Sequence, residues 1–404
     1  MRVEILPSVA NGKVSAPPSK SMAHRLLICA ALAEGVSRIR GISDCDDARA
    51  TVDCLRAFGA EIDYDGCDVA VKGVNMLCAE ASEPLCCRES GSTLRFLIPI
   101  ALLCGEEVRF CGAKRLFERP LDVYEELCRN RGMALRKETD GIAVRGPLCG
   151  GEFSLRGDVS SQFITGLLLA LPLCDGDSRI NITTKTESRS YIDMTLSAMA
   201  AFGVSAVWES EQTLYIKGGQ RYSPKEILVE GDFSGAAFTE ALGLLGGRVE
   251  VLGLSEDSLQ GDKVYREHFA ALSDGAPVIS LLDCPDLGPI LFALAAEKGG
   301  ARFTDTRRLR IKESDRAEAT AAELRKFGAE VVVEENEVTV KRSKLHAPTE
   351  VLCGHNDHRI VMALATLCTV YGGVIEGAEA VKKSYPEYFE DICSLGIKAR
   401  IYEA

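Results

Sequence analysis

Leu55-Arg56-Ala57-Phe58-Gly59-Ala60-Glu61-Ile62 returns as Met199-Ala200-Ala201-Phe202-Gly203-Val204-Ser205-Ala206, and again as Leu324-Arg325-Lys326-Phe327-Gly328-Ala329-Glu330-Val331. Each copy reads as the end of an amphipathic helix, a glycine closing it in the left-handed conformation, and the start of an alternating strand. Weaker copies end near Gly132, Gly275 and Gly396. Interleaved with these is a second pattern, a polar motif that leads straight into an almost wholly apolar helical run. It occurs as Pro18-Ser19-Lys20-Ser21 before Met22–Ala33, as Glu89–Thr93 before Leu94–Cys104, and as Asp158–Gln162 before Phe163–Cys174. It recurs as Gly231–Ser234 before Gly235–Leu245, as Cys284–Asp286 before Leu287–Ala296, and as His355–Arg359 before Ile360–Tyr371. With Ser21, Ser92, Ser161, Ser234, Asp286 and Asp357 as markers, the intervals are 71, 69, 73, 52 and 71 residues.

An internal repeat governs the fold. A helix apolar on every side must be buried on every side, whereas an amphipathic one covers a surface. Each repeat of about 70 residues, the spacing just given, predicts one buried helix, one surface helix and several short strands. The fold class is therefore α/β (α+β), with three repeats to a domain and six making two similar domains. The natural cut lies near Ser223-Pro224-Lys225, and a strand at Arg2–Leu6 precedes the first motif and needs a partner. If the buried helices of a domain run parallel, their polar motifs collect at one end. The unpaired N–H groups and positive dipole ends there attract anions.

Composition narrows the function. The 404 residues suffice for two or more full cores, and the net charge of −12 argues against a general nucleic-acid binder. An anion site on such a chain is a local basic pocket. The 16 cysteines lie mostly inside apolar runs, as Cys29, Cys104, Cys174 and Cys368 do, and read as small buried hydrophobes. There is no paired C-x-x-C, His355 and His358 have no evident third ligand, and no metal site is expected. The longest apolar runs are too short to span a bilayer, so no membrane partner and a cytoplasmic location are expected.

Single motifs are ambiguous. Lys20, Ser21 and Arg25 put two cations and a hydroxyl at the start of a helix predicted over Ser21–Glu34, poor placement for helix stability alone. Gly91 permits close backbone approach but lacks the P-loop lysine. Arg119-Pro120-Leu121-Asp122 reads as a helix start with Pro near its first position. Ser160, Ser161 and Gln162 cap a buried helix or bind a ligand. In Arg310–Arg316, Lys312 and Arg316 are predicted to share one helical face, with Glu313 adjoining. Asp286 is a base or an N-cap. Asp357, His358 and Arg359 enter a buried helix, a costly placement unless they are paired or used.

As an ordered set the motifs resemble the 5-enolpyruvylshikimate-3-phosphate synthase family. The resemblance is carried by Lys20-Ser21 with Arg25, Gly91 with Arg95, Arg119-Pro120, Ser160-Ser161-Gln162, Lys312-Glu313 with Asp315-Arg316, Asn356-Asp357-His358-Arg359 and Lys383. It implies two domains of three repeats in an inverse α/β barrel-like arrangement, with the active site in the interdomain cleft. The N-terminal strand then belongs with the C-terminal domain, giving domains of residues 1–13 with 225–404, and 14–224. The implied reaction moves the enolpyruvyl group of phosphoenolpyruvate to the 5-hydroxyl of shikimate 3-phosphate and releases phosphate, by addition and elimination, without metal or organic cofactor.

By the same resemblance Lys20, Ser21, Arg25, Ser160, Ser161, Gln162, Ser188, Tyr191, Asp286 and Lys312 hold shikimate 3-phosphate. Lys20, Gly91, Arg119, Gln162, Arg316, Arg359 and Lys383 surround phosphoenolpyruvate. Asp286, Glu313, Lys20 and His358 are the implied catalytic residues. The partners are small anionic substrates, and a monomer is expected. The family is the target of glyphosate, which occupies the phosphoenolpyruvate site. Glu89-Ser90-Gly91-Ser92-Thr93 stands where Asn-Ala-Gly-Thr-Ala is common, Ser190 where Pro is usual, and Arg308 near a usual Asn. Two other readings stay open here: the related transferase acting on UDP-N-acetylglucosamine, and a catalytically silent scaffold.

Overall fold

Gly59, Gly132, Gly203, Gly328 and Gly396 close surface helices with φ between +70° and +96°, so the left-handed cap read from the repeated Phe-Gly motif is present. Gly275 is the exception, with extended backbone at φ 160°, ψ −149°. The computed structural model describes residues 1–75 and 81–403. The chain forms two compact units, Met1–Pro17 with Glu230–Ala404, and Pro18–Val229.

Within Pro18–Val229 the buried helices are Lys20–Leu32, Gly91–Ala101 and Ser161–Ala170. The first begins at Lys20 behind an Ser19 cap and stops at Leu32, two residues short of the predicted Glu34. Each is followed by a strand, a surface helix and a hairpin. The second repeat shows the pattern: Leu85–Cys86 runs parallel to Glu107–Cys111, which pairs antiparallel with Gly141–Arg145, and that with Ala134–Glu138. The third repeat has the same four-stranded order.

In the other unit the buried helices are Phe233–Leu244, Gly288–Lys298 and His358–Tyr371, each packed on the other two. The strand Arg2–Leu6 finds its partners here, antiparallel to Gly373–Glu376 and to Lys398–Tyr402. Val3 and Ile5 are fully buried, at roughly 1.5–3 kcal/mol for such a side chain. The fourth repeat lacks the hairpin and keeps only Asn11–Ser15 parallel to Arg248–Leu252. That missing hairpin accounts for the 52-residue interval and for the extended Gly275.

The strands before the first and fourth buried helices are exchanged. Asn11–Ser15 precedes the first buried helix in the chain but pairs in the fourth repeat, and Glu226–Leu228 precedes the fourth but pairs with Val36–Arg40 of the first. These pairings shift both unit boundaries a few residues toward the C-terminus, to Pro17/Pro18 and Val229/Glu230, from the 13/14 and 224/225 positions expected from sequence.

Candidate active site

Proline and glycine shape the site of the Pro18–Val229 unit. Pro99 lies inside the second buried helix and has no N–H, so the Arg95 carbonyl one turn earlier loses its helical partner. The Tyr124 hydroxyl lies 2.9 Å from that carbonyl and 2.9 Å from the carbonyl of Phe163 on the third buried helix. Gly166 permits the approach, because a Cβ there would lie 2.4 Å from both the Arg95 carbonyl and the Tyr124 hydroxyl. The starts of the two helices are thereby brought together. Gln162 Nε2 donates to Ser92 Oγ at 3.0 Å, and Gln162 Oε1 accepts from Arg95 at 3.0 Å. Arg95 also donates to the Pro120 carbonyl at 3.0 Å. Gly91 lies against Arg119 and Arg95, since a Cβ on it would meet their guanidinium nitrogens at 2.6 and 2.8 Å. Arg119 follows the short helix Lys114–Glu118, and the next helix starts at Asp122, so Pro120 precedes that helix rather than opening it.

Arg25 is buried and anchors a second group. It donates to Thr195 Oγ1 at 2.9 Å and to the carbonyls of Ser21 and Tyr191 at 2.5 and 2.9 Å. Burial pulls it down to about 10, which leaves it cationic at neutral pH. Ser188, just before the surface helix Arg189–Ala201, takes a left-handed conformation with φ 56°, a strained backbone for a non-glycine residue. Ser160 caps the third buried helix through Gln162 N at 3.3 Å, and Ser161 is buried beside it. Lys20 pairs with Asp47 at 2.8 Å, a partner that sequence reading did not single out. Behind them His24 is buried, and burial together with Lys20 and Arg25 holds it well below its usual range. The buried Ser190 hydroxyl has no hydrogen-bond partner among the described residues.

The other unit gathers Asp286, Lys312, Glu313, Arg316 and Arg359 into one cluster. Lys312 is not on a helix, because a 3-10 turn ends at Ile311, Lys312 is extended, and the helix begins at Arg316. The expected shared helical face is absent, yet both side chains converge on Asp286. Oδ1 of Asp286 accepts from Lys312 at 3.1 Å and from Arg316 at 2.8 Å, and Oδ2 accepts from Arg359 at 3.0 Å. Asp286 sits in the 3-10 turn Pro285–Leu287, so it is no N-cap. Burial pushes its carboxyl up, but Arg359, Lys312 and Arg316 outweigh that and hold it well below the usual carboxylate range.

Arg316, 1% exposed, also donates to Glu313 at 2.7 Å and to the fully buried Asp357 at 2.8 Å. Asp357 caps its helix through Arg359 N at 3.0 Å, so this costly buried charge is both paired and capping. Arg359 reaches Ser234 Oγ at 2.5 Å, Lys383 donates to the Asn356 carbonyl at 2.6 Å, and His358, the first residue of the sixth buried helix, is itself buried. His355 pairs with Glu323 at 2.9 Å, and no cluster of three or more metal-ligating side chains occurs among the described residues. The fifteen described cysteines are free, and no described helix is long and apolar enough to cross a membrane.

The sequence profile described as EPSP synthase (3-phosphoshikimate 1-carboxyvinyltransferase) matches residues 7–392. The 3-phosphoshikimate 1-carboxyvinyltransferase of Clostridium kluyveri is 42% identical over 98% of this chain and 97% of its own. That of a Clostridium perfringens strain is 40% identical over 98% of each. A solved EPSP synthase structure from Acinetobacter baumannii shares the fold, with a TM-score of 0.79, 22% identity and 100% of both chains covered. With its profile matched over residues 7–392 and a relative 42% identical over 98% of this chain and 97% of its own, the chain belongs to the EPSP synthase family.

Proposed function

We propose that this protein is an enolpyruvyl transferase that joins phosphoenolpyruvate to the 5-hydroxyl of shikimate 3-phosphate and releases inorganic phosphate. The observation that carries the reading is the Asp286 carboxylate held by Lys312, Arg316 and Arg359, with Glu313 on the same Arg316. In that cage Asp286 is a poor base. Polyanionic substrates supply the remedy: a phosphate or carboxylate that takes over Lys312 or Arg359 removes the cations that hold Asp286 ionised. Its proton affinity then rises as the substrates seat. Asp286 accepts the 5-hydroxyl proton, and Glu313 delivers a proton to the methylene carbon. Elimination returns a proton from the methyl carbon to Glu313, and phosphate leaves with the proton that Asp286 had taken, with Lys20 and His358 supporting the charge.

Arg25, Ser21, Ser160, Ser161, Ser188, Tyr191 and Lys312 are proposed to hold shikimate 3-phosphate. Lys20, Gly91, Arg119, Arg316, Arg359 and Lys383 are proposed to hold phosphoenolpyruvate, with Gln162 touching both. Guanidinium forks suit both anion types. The Gln162–Arg95–Pro120 links fix one fork's surroundings before substrate arrives, as preorganised electrostatic catalysis requires. The protein is further proposed to act as a cytoplasmic monomer.

The test is phosphate release from phosphoenolpyruvate with and without shikimate 3-phosphate, in the presence of a chelator. Release that needs both substrates and ignores the chelator is the expected result. Release with UDP-N-acetylglucosamine instead would transfer the assignment to the sister reaction, and silence with both acceptors in folded protein would overturn enzymatic function.

A further inference from the structure

Asp262 lies in Gln260-Gly261-Asp262, a segment that the repeat pattern does not mark, and it is 3% exposed. Its loop is pinned to the start of the fourth buried helix: Phe233 N donates to Gln260 Oε1 at 3.0 Å, and Gln260 Nε2 donates to the Gly231 carbonyl at 2.8 Å. There the Asp262 carboxyl meets the Ser234 hydroxyl. Ser234 Oγ lies 2.5 Å from Arg359, and a guanidinium can only donate. The single Ser234 proton is therefore left to donate to Asp262. The other arm of Arg359 is on Asp286. One guanidinium thus serves two carboxylates, Asp286 directly and Asp262 through a hydroxyl.

The groups facing Asp262 are Asp286 and Cys284 from the turn that opens the fifth buried helix, Asp232 and Ser234 from the fourth, and Arg359 from the sixth. Burial first, and then the Asp286 charge, push the Asp262 carboxyl up to about 7 against the pull of Arg359 and Ser234.

We propose that Asp262 is a positioning residue that governs how strongly Arg359 takes an anionic substrate group, competing for the guanidinium when ionised and releasing it when protonated. The proposal rests on the reading that Arg359 binds phosphoenolpyruvate. An anion arriving at Arg359 adds negative charge near Asp262 and raises its proton affinity further. Binding then draws one proton from solvent onto Asp262. At higher pH that proton is harder to obtain, so binding weakens.

The experiment measures KM for phosphoenolpyruvate and kcat at saturating shikimate 3-phosphate from pH 6 to 9, for the wild type and Asp262→Asn. The variant keeps the shape and is permanently neutral. The wild-type to variant ratio of KM is expected near one at pH 6 and about five-fold or more at pH 8.5, the effect of one nearby charge, with little change in the kcat ratio. Parallel KM profiles would overturn the proposal. Should Asp262→Asn fail to fold, Glu313→Gln with Asp262 intact is titrated calorimetrically with phosphoenolpyruvate and shikimate 3-phosphate at pH 8, in buffers of different ionisation enthalpy. Net uptake of about a quarter of a proton or more per phosphoenolpyruvate, the linkage counterpart of a five-fold effect, is expected, and none would overturn the proposal. Failure of the wild type to release phosphate at all would instead overturn the assignment of the reaction.

Discussion

In the Pro18–Val229 unit two buried guanidinium groups donate to neutral acceptors: Arg25 to Thr195 and two carbonyls, Arg95 to Gln162 and a carbonyl. In the other unit Arg316 and Arg359 rest on carboxylates, and Lys312 joins them on Asp286. Neutral acceptors orient a cation without cancelling it, so the first arrangement keeps positive charge for an incoming anion. Lys20, in the same unit, pairs with the Asp47 carboxylate. The second arrangement sets Lys312, Arg316 and Arg359 against Asp286, Glu313 and Asp357, and its net charge is close to zero. Such a cluster attracts anions less but holds groups able to exchange protons. The contrast suggests that the first cluster mainly grips substrate and the second mainly moves protons.

The largest effect is expected where protons move. Glu313→Gln keeps the shape of the side chain facing Arg316 and should lower kcat by about 10²–10⁴-fold, the usual worth of a general acid–base group, while substrate binding survives. Pre-steady-state phosphate release with a parallel binding titration checks this, and near-normal turnover would remove Glu313 from the chemistry. Next comes the cluster's integrity. Asp357→Asn leaves Arg316 without one of its buried counter-charges and should cost about 3–5 kcal/mol, read from the denaturation transition. A loss below 1 kcal/mol would mean that the contrast between neutral and charged partners carries little energy.

In the other unit the expected effect is on binding. Gly91→Ala places a Cβ 2.6 Å from an Arg119 nitrogen, so Arg119 or the loop must shift. We expect roughly a 10–10²-fold fall in kcat/KM for phosphoenolpyruvate, the scale of a misplacement near 1 Å. An unchanged value would show that Arg119 has room to move aside.

The smallest effect concerns pH and stability. His24 is buried neutral with a lowered folded value, so the unfolded chain binds the extra proton, and stability is lost as pH falls below about 6.5. Asp262 has the opposite sign: its raised folded value makes the unfolded chain shed the proton first, and stability falls as pH rises from about 4 to about 7. Each slope is at most about 1.4 kcal/mol per pH unit. Denaturation at pH 5 and pH 6.5 should show His24→Gln losing the first dependence and Asp262→Asn the second. Identical profiles in both variants would show that neither group carries the pH response.

Two helix types at a fixed spacing were enough to give the sixfold repeat, the buried and surface helices and the glycine caps, because periodicity and left-handed closure are local properties. The ordered polar motifs at the buried helix starts were legible for the same reason: an apolar run announces the helix, and whatever precedes it is the N-terminus. The hairpin missing from the fourth repeat was visible as a short interval, though its meaning was not. Tertiary structure alone decided the rest. It paired Arg2–Leu6 with strands more than 360 residues away and exchanged the strands of the first and fourth repeats, since backbone pairing has no local signature. It took Lys312 off the helix and still brought it to Asp286, because the extended residue after a 3-10 turn can reach where a helical one would not. Asp47, Thr195 and Asp262 were silent in the sequence for one reason. A partner acquires its role from the charge or hydroxyl that folding places beside it, and in each case that group lies at least 24 residues away along the chain.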